Sequence, residues 1–280
     1  MLNAEAIKEL SKAQAIEAAT TSLEKGFEDK YSSEVHTGLV ALPADFKLHD
    51  LESFLPYRRH ARGEMTSAYV EDFADYVAVH ADAGAMVFVS DEINATAVLN
   101  LGDSTDPGHA DNVAVLQPQQ TAAWKALRKM FDTKHDQRLV AEFLEDWADC
   151  ISATAEGSGQ ISASKAAAAI RKLTIESARK VTAEVKAHSE SMSAFEQIQA
   201  TSEEAIPEYL FFTTKPYADL DTRCVTLRLG VLTGEKLAIT LRPMRWEEHV
   251  ELMARELATK VTTAIGDSAR VVLGQYRRHQ

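Results

Sequence analysis

The chain has 280 residues, a net charge of −12 and two cysteines. Hydrophobic residues make up 45% of it and charged residues 26%, a composition typical of globular proteins and not of disordered ones. The negative charge excludes a uniformly basic surface of the kind that coats nucleic acid, although a local basic patch remains compatible with it. Cys150 and Cys224 belong to no CxxC pair, which argues against a disulfide framework or a zinc site.

The N-terminal segment predicts no export signal. It is amphipathic and of mixed charge, and it lacks the apolar run of a secretory signal peptide. No stretch of the sequence is long and apolar enough to span a bilayer. We therefore expect a soluble, cytoplasmic protein with no membrane partner.

Apolar periodicity predicts a mixture of helices and strands. Apolar residues at i, i+3, i+4 and i+7 predict helices at 3–25, 67–80, 121–131, 140–151, 162–173 and 246–265. Alternation with period two predicts strands at 35–42, 85–90, 96–101, 113–116 and 209–213. The expected fold class is α+β, with antiparallel sheets covered by several amphipathic helices, and the helix at 246–265 is expected to cover the C-terminal sheet.

Two stretches leave the organisation of the chain open. The segment 152–164 is rich in Ser, Ala and Gly, so we interpret it as a linker or loop between an N-terminal α+β region at 1–151 and a C-terminal region at 165–280. One integrated domain is the alternative. Between 173 and 200 the composition favours a helix, whereas the alternation favours a strand, and we predict a strand after about residue 173.

The clearest pattern is a hairpin at 222–243. Apolar side chains alternate along both of its strands, and they share one face only if Val231 lies opposite Ile239 and Leu229 opposite Leu241. That register leaves a loop of about three residues at 234–236, with a five-residue loop as the alternative.

The same register places Arg228 directly opposite Arg242 on the other face of the hairpin. Like charges at a paired position repel each other, so an anionic group is expected beside them. One interpretation is a site for a phosphate or another anion. The other is a structural pairing with acidic side chains of this chain, which is the commoner arrangement in so acidic a protein.

A second basic cluster consists of Arg58, Arg59, His60 and Arg62. It could bind phosphate or the acidic surface of a partner, and the alternative is a solvated loop paired to nearby carboxylates. Four further groups crowd one loop: Asp103, Asp106, His109 and Asp111. Their spacing matches no EF-hand, so we interpret this loop as a turn.

Sequence motifs for catalysis are absent. The chain has no GxGxxG, Walker A, HExxH or GxSxG pattern, and His249 beside Glu247 and Glu248 is the one acid–base group considered. We predict no catalytic residues, no metal site and no cofactor. A non-enzymatic protein is favoured, and an enzyme of unknown type is the remaining alternative.

The order of several segments resembles a known family. They read LPADFKLHDLESFLPYRRHARGEMTSAYVEDFADYV, AMVFVS, TAVLNLGD, QPQQTAAWKAL and KPYADLDTRCVTLRLGVLTGEKLAITLRPM. Together they resemble the YfdQ-like family of uncharacterised phage and prophage proteins. The resemblance implies an accessory protein of a phage or prophage that works in the cytoplasm of the bacterial host.

Two functions follow from these observations. The first is a non-enzymatic phage accessory protein that self-assembles into a homo-oligomer, with a shell-like assembly as one form, and acts through contacts with itself or with a host or phage protein. The alternative is a factor that handles nucleotides or nucleic acid through its arginines. The residues expected to bind an anion or a partner are Arg58, Arg59, Arg62, Arg228 and Arg242.

Overall fold

The computed structural model describes residues 5, 8–14, 17, 52, 56–58, 60–155, 159–173, 206–233 and 237–277. The chain divides into two compact units, Met1–Ala61 and Arg62–Gln280. In the first unit, residues 8–14 are helical, as the predicted helix at 3–25 requires. The predicted strand at 35–42, the stretch after 173 and the hairpin loop at 234–236 lie outside the described residues.

The first sheet of the second unit has five strands in the described part of the chain. They are β1 (Gly63–Ser67), β2 (Met86–Ser90), β3 (Asn94–Val98), β4 (Asn112–Leu116) and β10 (Arg270–Leu273). The strand order is β1-β4-β3-β2-β10, with β1 parallel to β4, β10 parallel to β2, and antiparallel pairs between the others. Strands β2, β3 and β4 confirm the predicted strands, although β3 begins and ends earlier. Strands β1 and β10 were not predicted.

Two helices pack together on this sheet. Helix α1 (Val70–His80) buries Val70, Phe73, Ala74 and Val77, which is the predicted apolar stripe. Helix α5 (Trp246–Ile265) has the predicted bounds, and it packs against α1 and strands β2 and β10. The expected packing of α5 over the C-terminal sheet is therefore wrong, because other helices cover the apolar face of that sheet.

The second sheet also has five strands in the described residues, and all its pairs are antiparallel. They are β5 (Ile151–Ala155), β6 (Gly159–Ser162), β7 (Tyr209–Thr214), β8 (Arg223–Thr233) and β9 (Leu237–Pro243). The order is β6-β5-β7-β8-β9. The α+β class is therefore confirmed. Among the described strands the second sheet is antiparallel as predicted, whereas the first sheet is mixed and contains two parallel pairs.

Three helices lie on the covered side of the second sheet. They are α2 (Ala122–Lys129), α3 (Gln137–Asp146) and α4 (Ala163–Lys172), and they contact β7, β9 and the β5–β6 pair respectively. Thr121 caps α2 as predicted, and its Oγ1 accepts a hydrogen bond from the Trp124 amide. Helix α3 begins earlier than predicted, because Asp136 caps it by accepting from the Leu139 amide.

The chain after α3 differs from its prediction. A 3₁₀ turn at Ala148–Cys150 follows the helix, and Ile151 already belongs to β5. The segment 152–164, expected as a linker or loop, holds the β5–β6 hairpin and the start of α4. Ala153, Ala155 and Ala163 are buried, so this segment supplies part of the core.

The β8–β9 hairpin has the predicted register. Val231 pairs with Ile239, Leu229 with Leu241, and Arg228 with Arg242. Val225 and Leu227 extend the same apolar row toward the start of β8, and both are fully buried. This row fixes the register, because a slip of one residue would turn these side chains to the opposite face.

Candidate functional site

The outer face of the second sheet, meaning the face opposite helices α3 and α4, carries a row of polar side chains. Tyr209, Arg228 and Arg242 are neighbours across β7, β8 and β9. Both arginines are exposed. In the part of the chain that the structure describes, neither arginine forms an ion pair with a carboxylate. The structural pairing with acidic side chains that the sequence left open is therefore not found among these residues.

The neighbouring positions of the outer face are aromatic or hydroxylated. Phe211 is half-buried and pairs with Thr226, while Thr240 lies over Gly230. A hydrogen bond to Glu208 raises the pKa of Tyr209, and the nearby Arg228 acts in the opposite direction. The face therefore combines two guanidinium groups with an aromatic pair and hydroxyl groups.

Arg242 also lines the arginine cleft, a cavity of about 590 Å³ beside the outer face. The cleft lies between the end of α2, strand β9 and the start of α5. Its lining residues are Arg128, Phe131, Asp132, Arg242, Pro243, Arg245, Trp246 and Glu247. Three arginines thus face two carboxylates in one concave site.

Aromatic rings hold Arg128 in this cleft. Its guanidinium carbon lies 4.6 Å from the centroid of the Trp246 ring and 5.5 Å from that of Phe131. The Phe131 ring in turn packs edge-on against Trp246, at 5.0 Å between centroids. A planar guanidinium above an indole is a favourable cation–π arrangement, and it orients the charge without a carboxylate partner.

Two residues of the cleft have left-handed backbone. Asp132 has φ 51° and Arg245 has φ 53°, a region that residues other than glycine seldom adopt. Arg245 is the N-cap residue of α5, and its guanidinium contacts both carboxylate oxygens of Glu248, at 2.7 and 2.5 Å. Such conformations cost about 1–2 kcal/mol each, and Ile93 and Ala110 share them outside the cleft.

His249 lines a smaller cavity of about 280 Å³ next to the outer face, with Thr226, Arg245 and Glu248. Burial lowers the pKa of His249, and the positive charge of Arg223 lowers it further. Because the imidazole stays neutral near pH 7, it adds no positive charge to the site. The sequence suggested Glu247 and Glu248 as the neighbours of His249. In the structure, arginines also determine the electrostatic environment of its imidazole.

The predicted Arg58, Arg59 and Arg62 cluster does not form one described site. Arg58 is exposed and belongs to the first unit, Arg59 lies outside the described residues, and Arg62 is exposed at the start of the second unit. Among the predicted residues that the structure describes in the second unit, Arg228 and Arg242 are neighbours.

Two other candidates give weaker sites. A cavity of about 780 Å³ near Gln117, Gln119 and Gln120 has Lys125 as the sole cation among its described lining residues. In the acidic loop, Asp103 accepts hydrogen bonds from the Thr105 and Asp106 amides, and the Thr105 hydrogen bonds lower its pKa. No group of metal-ligating side chains occurs in the described ranges.

Most of the cleft residues had no role assigned from the sequence. Arg128, Phe131 and Asp132 lie far before Arg245 and Trp246 in the chain, and no spacing rule connects the two groups. The partial signal was the sequence of the stretch after β9, where Arg242 and Arg245 precede an aromatic residue at the start of a predicted helix.

A model of the family described as "Uncharacterized conserved protein (DUF2303)" matches residues 9–276. The chain belongs to the DUF2303 family. The match covers both sheets and the arginine cleft. No curated protein and no solved structure is significantly similar to the chain. In the ranges of this DUF2303 protein that the structure describes, every helix is too short or too polar to cross a bilayer.

Proposed function

We propose that the protein binds nucleic acid through the outer face of its second sheet and the adjoining arginine cleft. The observation that carries the proposal is the exposed pair Arg228 and Arg242, which face each other without a carboxylate partner among the described residues. Two like charges held at paired positions repel each other, and a polyanion between them relieves this repulsion.

The chemistry of the surrounding side chains supports a phosphate-bearing ligand. Guanidinium groups bind phosphate through two parallel hydrogen bonds, and Arg128 and Arg242 line the same cleft, in which Arg245 is already paired with Glu248. The half-buried rings of Tyr209 and Phe211 lie on the same face of β7. Aromatic side chains beside a basic groove are typical of proteins that bind single strands.

The net charge of −12 limits the mode of binding. A chain of this charge repels a polyanion at long range, so binding depends on a few short contacts at the arginines and not on a broad basic surface. We therefore expect a shallow dependence of affinity on salt, corresponding to a small number of phosphate contacts.

The test is binding of fluorescein-labelled DNA and RNA oligonucleotides, measured by fluorescence anisotropy over a series of NaCl concentrations. Replacing Arg228 and Arg242 together by alanine should weaken binding at low salt by at least about 100-fold, because each of the two lost charge-assisted hydrogen bonds contributes about 1.5–3 kcal/mol. The slope of log affinity against log salt should fall by up to about 1.4, at roughly 0.7 per lost phosphate contact.

The matched control is Arg138→Ala. Arg138 is exposed on α3 and pairs with Glu142 at 2.7 Å, so this variant loses a surface arginine away from the site. It should bind as the parent protein does. Absence of binding to DNA and RNA at low salt, or equal loss in the control and in the double variant, would contradict the proposal.

We propose as a second candidate a non-enzymatic phage or prophage accessory protein that self-assembles. The resemblance to YfdQ-like proteins suggests the phage context, and one edge of the first sheet supports the assembly. Strand β10 is outermost in that sheet among the described strands, and Leu273 at its end is 60% exposed. A free edge with apolar side chains is suited to pairing with the same strand of a second copy.

This candidate predicts a concentration-dependent oligomer in size-exclusion chromatography with light scattering. Leu273→Lys should shift the protein toward the monomer, since a charge at the strand edge opposes pairing. Val79→Lys is the control, because Val79 is 76% exposed on α1 and lies outside the edge strand. A monomer at micromolar concentration would exclude self-assembly, and electron micrographs of the parent protein would reveal any shell.

A further inference from the structure

We infer that the arginine cleft holds one unstacked base of a single-stranded nucleic acid, with its ring against the guanidinium plane of Arg128. This inference rests on the proposed nucleic-acid binding and names the form of nucleic acid that the site selects. The observation that carries it is the cluster of two indole rings and a guanidinium at the cleft, which phosphate binding by itself does not require.

The cluster of Trp124, Trp246 and Arg128 extends from the core to the surface. Trp124 is 1% exposed, and its ring centroid lies 5.6 Å from that of Trp246. Trp246 is half-buried, and the exposed Arg128 lies above its ring at 4.6 Å. Exposure therefore increases from Trp124 to Trp246 to Arg128, so the guanidinium is the member of this cluster that is most accessible to a ligand. Unpaired bases in protein complexes stack on aromatic rings and on arginine planes of this kind.

The size of the cleft suits one nucleotide unit. Its volume of about 590 Å³ lies within the range of about 300–1,000 Å³ that is typical of small-ligand sites. A base within a duplex is stacked on both faces and paired along one edge. It can enter such a cleft only after it has left the duplex, and this unstacking and unpairing costs a few kcal/mol. The geometry consequently favours a single strand over a duplex.

The distribution of charge in the cleft orients a nucleotide, with its base at one side and its phosphate at the other. Asp132 and Glu247 repel phosphate, but their carboxylates accept hydrogen bonds from the amino and imino groups of a base edge. Arg242 lies on the side of the cleft that continues into the outer face, where Arg228 is its cross-strand neighbour. The base is therefore directed toward Arg128 and the carboxylates, and the backbone phosphates toward Arg242 and Arg228.

The first experiment compares three probes on the full-length protein: labelled oligothymidine, an abasic oligomer of the same length, and a duplex. Oligothymidine should bind about 5- to 100-fold more tightly than the abasic oligomer, which is the range of one stacked base. It should also bind more tightly than the duplex. Equal affinity for oligothymidine and the abasic oligomer would overturn the inference while leaving nucleic-acid binding intact, whereas absence of binding to all three probes and to the RNA oligonucleotides would overturn both.

The second experiment uses Arg128→Lys, which keeps the positive charge but removes the planar surface. This variant should lose the preference for oligothymidine and keep its affinity for the abasic oligomer within about twofold, because stacking depends on the plane and phosphate attraction on the charge. A preference equal to that of the parent protein would contradict the role of Arg128. If the circular dichroism of the variant indicates misfolding, the comparison of probes on the parent protein decides the inference.

Thymidine monophosphate serves as the competitor that distinguishes a strand from a free nucleotide. Weak competition, only at concentrations far above those of oligothymidine, is expected, because a single nucleotide lacks the phosphates that contact Arg228. Competition at concentrations equal to those of oligothymidine would overturn the assignment to a single strand and would indicate a mononucleotide site.

Discussion

Replacing Phe212 by alanine should lower the free energy of unfolding by about 3–5 kcal/mol, the usual cost of removing a buried aromatic side chain. Phe212 is fully buried on β7, at the centre of the second sheet. Its ring stacks on Phe143 of α3 at 5.8 Å between centroids and lies 6.5 Å from the Trp147 ring. The cavity left by the truncation would face these two rings, and neither can move inward without disturbing α3.

Denaturant unfolding monitored by circular dichroism measures this effect. Phe211→Ala is the matched control, because Phe211 is the preceding residue on the same strand and points to the outer face. Since Phe211 is only half-buried, its replacement should cost about 1 kcal/mol. Equal losses for Phe211 and Phe212 would mean that the outer face is packed as tightly as the inner one, which would also contradict a binding role for it.

Glu256→Ala should destabilise the protein by about 3 kcal/mol, because it leaves a mostly buried guanidinium without its counter-charge. Arg223 at the start of β8 forms an ion pair with Glu256 of α5, and each side chain is only 15% exposed. Glu256 also accepts a hydrogen bond of 2.6 Å from the Asp221 amide. This cluster joins the helix that covers the first sheet to a strand of the second sheet.

The double variant Arg223→Met/Glu256→Met tests whether the unpaired charge of Arg223 causes this loss of stability. It removes both charges and retains much of the side-chain volume, so it should be more stable than Glu256→Ala by at least about 1 kcal/mol. Thermal or denaturant unfolding of the single and double variants measures the difference. The exposed pair Arg138 and Glu142 is the reference, since Arg138→Ala should change stability by less than about 0.5 kcal/mol.

The sequence predicted those elements in which the spacing of apolar side chains reflects burial on one side. The stripe of α1 and the alternation of β8 and β9 follow from burial on one side, and the opposition of Arg228 and Arg242 follows from the register that burial imposes. Strand β5 was misinterpreted because its buried side chains are mostly alanines, which resemble a flexible linker in composition. In this strand the period of two was informative and the amino-acid type was not.

Strands β1 and β10 and the packing of α5 depend on contacts between distant parts of the chain. Strand β1 has no apolar alternation that would predict it. It becomes a strand through its parallel hydrogen bonding to β4. The apolar stripe of α5 predicts a buried face but does not specify which sheet buries it. The arginine cleft is a product of this packing, because Trp246 meets Arg128 only when α5 begins beside the end of α2.

The segment 131–135 runs along the outer edge of β9. The amides and carbonyls of His135 and Ile239 form two reciprocal hydrogen bonds of 2.8 Å, and the Asp132 amide donates to the Leu241 carbonyl at 3.2 Å. These main-chain bonds fix Phe131 and Asp132 relative to Arg242 before any ligand arrives. A ligand entering so preorganised a cleft orders little of the protein, so most of the contact energy is retained as affinity. Substitutions in its walls should therefore act mainly on the residence time of the ligand and much less on its rate of arrival.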